Sequence, residues 1–196
     1  MPAREPSPLK LKIEPVTPKR WGDLETLFGE RGACAGCWCM WWRLPRSKFV
    51  AQKGEGNRKA LKRIVASGAI PGLIAYHEGE PIGWCALASR SDYPRLANSR
   101  ILREVDEQPV WSITCFFVAR PFRRRGVTGK LLEAAITYAK KRGARILEGY
   151  PVDAKAQSAD TFVYTGLAST FLGAGFKEVA RRSPTRPVMR HDLQRD

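Results

Sequence analysis

The sequence predicts a single mixed α/β domain, and three observations carry that prediction. Short apolar runs of strand length alternate with segments of helical period, and glycines separate them. The chain has 196 residues, the size of one ordinary domain. Its 43% hydrophobic and 27% charged residues suit a folded core and exclude wholesale disorder. No repeat or linker divides it. Residues 1–8 are expected to form a flexible tail and residues 9–196 the single domain.

The elements follow in order. Residues 9–16 alternate apolar and polar and read as a first strand. Thr17 followed by Pro18 is a capping signal for a helix with Trp21, Leu24, Leu27 and Phe28 on one face, stopped by Gly29 and Gly32. A second helix is predicted over 57–66, closed by Gly68. Residues 72–77 and 81–88 form a hairpin around Glu78-Gly79-Glu80. Residues 89–108 are polar and read as irregular. Residues 110–118, VWSITCFFV, are β-branched and aromatic, the pattern of a strand buried on both faces. An arginine-rich, glycine-containing turn leads to a helix starting near Gly129 and closed by Gly143. A strand over 146–152, a short helix over 166–174 and strands over 176–182 and 187–193 complete the order β-α-α-β-β-β-α-β-α-β-β.

Charge narrows the function. With 34 Lys plus Arg against 19 Asp plus Glu, the formal net charge is +15. Such an excess favours anionic partners: nucleic acid, anionic lipid or a polyphosphate ligand. No apolar run approaches the roughly 20 residues of a membrane helix. The first residues lack the apolar stretch of a secretory signal, which points to the cytoplasm. Five cysteines argue against a disulfide framework. Cys34, Cys37 and Cys39 lack a second half-site, so three small thiols are expected rather than a metal centre.

The segment FFVARPFRRRGVTGKLLEAAITYAKKRGA carries the chemistry. Unpaired amides at a helix start, a glycine that lets an anion approach, and three arginines make a diphosphate cradle. Neither a Walker A loop nor a dinucleotide fingerprint occurs. The segment resembles the GNAT acyltransferases, whose signature [RQ]-x-x-G-x-[GA] here reads Arg123-Arg124-Arg125-Gly126-Val127-Thr128. Threonine stands at the last place, and Gly129 follows. The element order and the closing Gly175-Phe176 also resemble that family. The resemblance implies a central, mostly antiparallel twisted sheet splayed at the cofactor site, helices on both faces, and acetyl-CoA as cofactor. It implies that the amides of Arg123, Arg124, Arg125, Gly126, Val127, Thr128, Gly129 and Lys130 bind the CoA pyrophosphate. Phe116, Phe117 and Val118 would pair with the pantetheine arm.

The family's usual base aligns with Ser112, and residues 110–118 contain no Asp or Glu. Its usual acid, a tyrosine, aligns with Phe171, which is kept as a cofactor-side residue. Glu148 is therefore taken as the candidate base, with Asp153 and Asp92 as further candidates, and Tyr164 as the candidate acid. Trp38, Trp41 and Trp42 fall between the first two helices, over the acceptor end of the family's cleft, where aromatic faces bind amines. The resemblance implies an acetyl-CoA-dependent N-acetyltransferase acting on a primary amine of a small molecule or peptide. A homodimer is compatible with it. The rival readings are an acyl-CoA sensor without catalysis and a basic nucleic-acid-binding module, the latter disfavoured because the aromatics do not interleave with the arginines.

Overall fold

The computed structural model describes residues 9–153 and 163–194. Its centre is a seven-stranded sheet: β1 (Leu11–Pro15), β2 (Gly72–His77), β3 (Glu80–Ser89), β4 (Trp111–Val118), β5 (Ile146–Gly149), β6 (Lys177–Arg181) and β7 (Pro187–Asp192), in the order β1-β2-β3-β4-β5-β7-β6. Only β4 and β5 run parallel; the other neighbours are antiparallel. The helices are α1 (Trp21–Phe28), α2 (Arg46–Ala51), α3 (Glu55–Ala66), α4 (Pro94–Ala97), α5 (Val127–Lys141) and α6 (Ala168–Gly173).

Alternation along the strands sends side chains into two cores. Leu73, Ala75, Cys85 and Ile113 meet Val127, Leu131, Leu132, Ala135 and Ala139 of α5 on one face, together with Phe171 of α6. Ile74, Trp84 and Ala86 meet Trp21, Leu24, Leu61 and Val65 of α1 and α3 on the other. The 3.6-residue period of α5 puts its apolar stripe on the sheet and its lysines outside. A third cluster, with Tyr93, Leu96, Leu102, Tyr150 and Val188, fills the end of the sheet under residues 89–105.

The mixed α/β fold and the main elements follow the sequence pattern, with local differences. Two short helices, α2 and α4, lie in stretches that carry no helical period. Thr17 makes no side-chain cap; it precedes a single 3-10 turn, Pro18–Arg20, that leads into α1. Helix α3 starts two residues earlier than predicted and α5 starts at Val127, because Gly126 adopts φ +77° and ends the turn there. Strand β5 stops at Gly149 rather than 152, and Val152 makes only an isolated bridge to Leu167.

The early end of β5 coincides with an irregularity in β4. Strand β4 pairs with β5 only at Trp111, Ser112 and Ile113. On its other side the register with β3 shifts between Ala86 and Leu87, which face Cys115 and Ile113, so Thr114 is an extra residue in β4. A bulge bends the strand that carries it. Beyond Thr114, β4 continues to Val118 with β3 as its one strand neighbour among the described residues. The two parallel strands therefore part at one residue, leaving the second half of β4 as an edge beside the start of α5.

Candidate functional site

The site begins at that edge. After Val118 the chain makes one 3-10 turn, Arg120–Phe122, then passes through Arg124 at φ +59° and Gly126 at φ +77° into α5. Nothing lies within 4 Å of where a Cβ on Gly126 would stand, so the space before the helix is open to an incoming group. An α-helix leaves its first amides without intrahelical partners, and α5 is 15 residues long with no acidic residue in its first turn. Arg124 and Arg125 are exposed beside them. Arg123 turns back: its Nε donates to the Val118 carbonyl at 3.0 Å and braces the turn. The Lys130 amide already donates to the Gly126 carbonyl at 3.2 Å, so the open amides are those before it. These residues fit a diphosphate: several donors, no competing carboxylate in the first turn, and room over Gly126.

Along β4 the residues separate by alternation. The Phe116 amide points to the open side, where the Tyr164 carbonyl accepts it at 2.6 Å. The chain thus supplies its own partner at one of the positions expected for the pantetheine arm. Val118 points its amide the same way. Phe117 lies between them, so its backbone faces β3; its ring packs on Phe28, with centroids 5.7 Å apart. Phe171 is fully buried against Phe116 and Phe176, and its ring occupies the space a side chain on Gly149 would need. It is a floor beneath the parted strands rather than a surface for a ligand.

Glu148 sits opposite Ser112 in the β4–β5 register and is fully buried. Its Oε1 accepts from Arg90 Nη1 at 2.8 Å and from the Tyr150 hydroxyl at 2.6 Å; its Oε2 accepts from Arg190 Nε at 2.7 Å. Ser112 Oγ lies 2.8 Å from the same Tyr150 hydroxyl. Burial, reinforced by the Glu148 charge, pushes the Tyr150 hydroxyl well above the usual phenol range. Both Glu148 oxygens are engaged. Asp153 is paired with Arg181 at 2.9 Å. Asp92 lines a groove of about 440 Å³ with Met40, Leu44 and Ile64, which shares no residue with the β4–α5 turn.

Tyr164 lies alongside β4, its carbonyl on the Phe116 amide. Its hydroxyl is pushed up to about 12, first by burial and then by the neighbouring Cys115 thiol. It stays protonated throughout the neutral range, as a proton donor must. Arg186 and the Trp42 indole pull in the other direction, and Cys37 adds a small upward push. The Trp42 indole is thus a hydrogen-bonding neighbour of the Tyr164 hydroxyl, and the two thiols act on it at longer range.

The three tryptophans do not act alike. Trp38 is a correction to the expected acceptor lip: it is buried, stacked 6.1 Å from Trp21 and edge-on to Phe28 at 5.5 Å. The chain turns inward there through positive φ at Ala33, Ala35, Trp38 and Cys39, and the indole closes over Gly32. Trp41 and Trp42 remain half-buried. Trp41 does not offer a bare face to an amine, because the Arg95 guanidinium already lies 3.6 Å from its ring centroid. Cys39 is buried beneath this loop, 3.3 Å from Cys115 and accepting from the Trp84 indole N–H at 3.1 Å. Among the described residues, no group of three or more His, Cys, Asp or Glu is arranged to hold a metal ion. Also among them, no helix is long and apolar enough to cross a membrane.

Sequence reasoning did not find Arg90, Arg190 or Arg95. Arg90 and Arg95 lie in the stretch read as irregular, and Arg190 reads as an ordinary charge on an outer strand. No local pattern marks them.

The parted strands and the open helix start are set in a mixed α/β fold. A family model described as the acetyltransferase (GNAT) family matches residues 38–159, well over half of the chain, and the protein belongs to that family. No protein of curated function matches its sequence. Among solved structures, a GNAT-family acetyltransferase from Listeria monocytogenes is 10% identical with a TM-score of 0.56, covering 94% of this chain and 95% of its own. The PaiA N-acetyltransferase of Thermoplasma acidophilum, in complex with coenzyme A, is 14% identical with a TM-score of 0.54, covering 94% and 99%. The aminoglycoside N-acetyltransferase AAC(6')-Iy, in complex with CoA, is 19% identical with a TM-score of 0.53, covering 91% and 95%. At these identities the likeness is one of fold.

Proposed function

We propose that the protein transfers an acetyl group from acetyl-CoA to a primary amine by direct attack, with both substrates held along the β4 edge. The observation that carries this reading is the coincidence of the parted β4–β5 pair with an open, cationic helix start. Membership of the GNAT family supports it, and so does the fold shared with two proteins solved with CoA. When bound, acetyl-CoA supplies an activated thioester.

The chain's own residues do the rest. The amides from Arg124 to Gly129, with the Arg124 and Arg125 side chains, hold the diphosphate, while Arg123 keeps the turn closed on Val118. Lys130, further along α5, is ion-paired with Glu133 at 2.8 Å and would have to leave that partner to reach the diphosphate. The Val118 amide, on the open side of β4, offers a backbone donor to an extended ligand. Tyr164 keeps a proton on its hydroxyl for the departing sulfur. Glu148 ties Arg90, Tyr150, Ser112 and Arg190 into the rigid floor where the strands part, which keeps the edge in place. The acceptor amine loses its proton to water before attack, and holding both groups in one groove supplies most of the rate.

The test is an acetyl-CoA-dependent assay of an amine panel with mass-spectrometric detection of acetylated product. A +42 Da product that requires both substrates supports the reading. A second reading, an acyl-CoA sensor, is favoured by one observation: the catalytic position on β4 is Ser112, tied to Tyr150, and the nearest carboxylate is fully engaged. CoA binding with no product across the panel would favour that reading.

A further inference from the structure

Two thiols on different elements meet beside the β4 edge. Cys115 lies on β4 directly after the extra residue Thr114, and Cys39 lies in the irregular stretch between α1 and α2. They are 76 positions apart in the chain, yet their Sγ atoms stand 3.3 Å apart. Both are free thiols. The pair is not part of a metal centre, because among the described residues no third His, Cys, Asp or Glu joins it to hold an ion.

The two sulfurs differ in their surroundings. Cys39 is buried, and the Trp84 indole N–H donates to its sulfur at 3.1 Å, which fixes its place next to Cys115. Cys115 is half-buried, and its side chain packs on the same core as Cys39 and Trp84. A small solute therefore meets Cys115 first, with Cys39 as the thiol behind it. The hydrogen bond to Cys115, and then burial, push the Cys39 thiol up and keep its proton on, which fits the second role. A disulfide holds its sulfurs about 2.05 Å apart, so about 1.3 Å must close. Strand β4 is held by its ladder to β3, whereas Cys39 belongs to no helix or strand, so the loop makes that movement.

Independently of the transferase reading, we propose that Cys39 and Cys115 form an oxidation site for hydroperoxides, closing to a disulfide that locks the tryptophan loop onto β4. The Cys115 thiolate attacks one oxygen of hydrogen peroxide: an S–O bond forms, the O–O bond breaks, and the other oxygen leaves as water. The Cys39 sulfur then attacks the Cys115 sulfur: an S–S bond forms, the S–O bond breaks, and the leaving hydroxide takes the Cys39 proton and departs as a second water. Two thiols lose two electrons in all, and one peroxide is reduced to two waters. A second thiol at contact distance diverts Cys115 from the irreversible sulfinic acid. The bond spans 76 positions, so it restricts the unfolded chain, and it pins Trp41 and Trp42, just beyond Cys39, beside the strand.

The experiment treats the reduced full-length protein, freed of reductant, with a small excess of hydrogen peroxide. The protein is then unfolded in acid, alkylated with N-ethylmaleimide and read by intact mass and peptide mapping. The expected product is lighter by about 2 Da before alkylation, keeps three of the five thiols, and carries a Cys39–Cys115 linked peptide that dithiothreitol releases. Its melting temperature should rise by about 5 °C or more. Cys115→Ser should leave Cys39 a thiol under the same treatment, while Cys34→Ser should cross-link like the parent. Protein oxidised in urea, where the contact is lost, should give mixed linkages instead. The linkage is read in the parent, so the result stands whether or not a variant folds. Five thiols retained, linkage through Cys34 or Cys37, or Cys115 gaining about 32 Da as sulfinic acid with Cys39 still reduced would overturn the site. A cross-link that leaves the melting temperature unmoved or lower would overturn the lock.

Discussion

Replacing Glu148 by glutamine separates a structural carboxylate from a catalytic one. The side chain is fully buried between Arg90 and Arg190, which are 9% and 10% exposed. Arg190 keeps a bidentate partner in Asp106, at 2.6 and 3.1 Å. Arg90 keeps neutral acceptors, the Tyr150 hydroxyl at 2.5 Å and the Leu102 carbonyl at 2.8 Å, and a distant Glu104 at 3.7 Å. A glutamine carbonyl can face one arginine, but its amide then points N–H groups at the other. Breaking a buried pair by removing one charge costs about 3–5 kcal/mol. The shape is kept and Arg190 stays paired, so the lower end, about 3 kcal/mol, applies. For a domain of this size that lowers the melting temperature by about 6–12 °C, at 2–4 °C per kcal/mol. The assay is thermal unfolding by circular dichroism beside steady-state kinetics. A carboxylate acting as general base would instead leave stability intact and lower kcat by about 10²–10⁴-fold. A melting temperature within about 2 °C of the parent, with kcat down a hundredfold, would refute the structural role.

Tyr164→Phe should lower kcat at least about tenfold while CoA affinity holds, as read by initial rates and calorimetry; an unchanged kcat would leave Tyr164 a packing residue. Trp38→Ala should destabilise the fold by about 3–5 kcal/mol in urea unfolding, because the indole fills space between Trp21, Phe28 and Gly32; a change below about 1 kcal/mol would put the ring outside the core. Burial, aided by Cys39, pushes the Cys37 thiol from 9.0 up to about 12, and Tyr164 rises from 10.0 to about 12. Both folded values lie above the unfolded ones, so the stability these groups contribute is whole below about pH 9 and is lost as pH rises toward 12. Melting temperatures between pH 8 and 11 should therefore fall only above about pH 9, and a Cys37→Ser, Tyr164→Phe double variant should fall less.

What the sequence made legible was local. The apolar run before Val118, the arginines and Gly126, and the period of α5 lie within 30 consecutive residues, and each rests on short-range backbone rules. The floor of the site was not legible, because it joins residues far apart: Arg90 to Glu148 across 58 positions and Arg190 to Asp106 across 84. Counting tryptophans between two helices singled out one loop. It could not say which ring turns in, since that depends on left-handed backbone at Trp38 and on Gly32 beneath it. The Tyr164 carbonyl on the Phe116 amide was hidden for the same reason: a tertiary contact decides it. The bulge at Thr114, which parts the strands, leaves no trace in a run that reads as uniformly apolar.

The most direct test of the account is a calorimetric titration of acetyl-CoA into the protein and into its Gly126→Glu variant. At Gly126 a side chain meets φ +77° and enters the open space before α5, and a glutamate adds a like charge against the diphosphate. One-to-one binding to the parent that weakens as salt rises is expected, with no measurable binding to a variant that still unfolds cooperatively. Absence of heat with the parent at millimolar acetyl-CoA, or undiminished affinity in the folded variant, would contradict it.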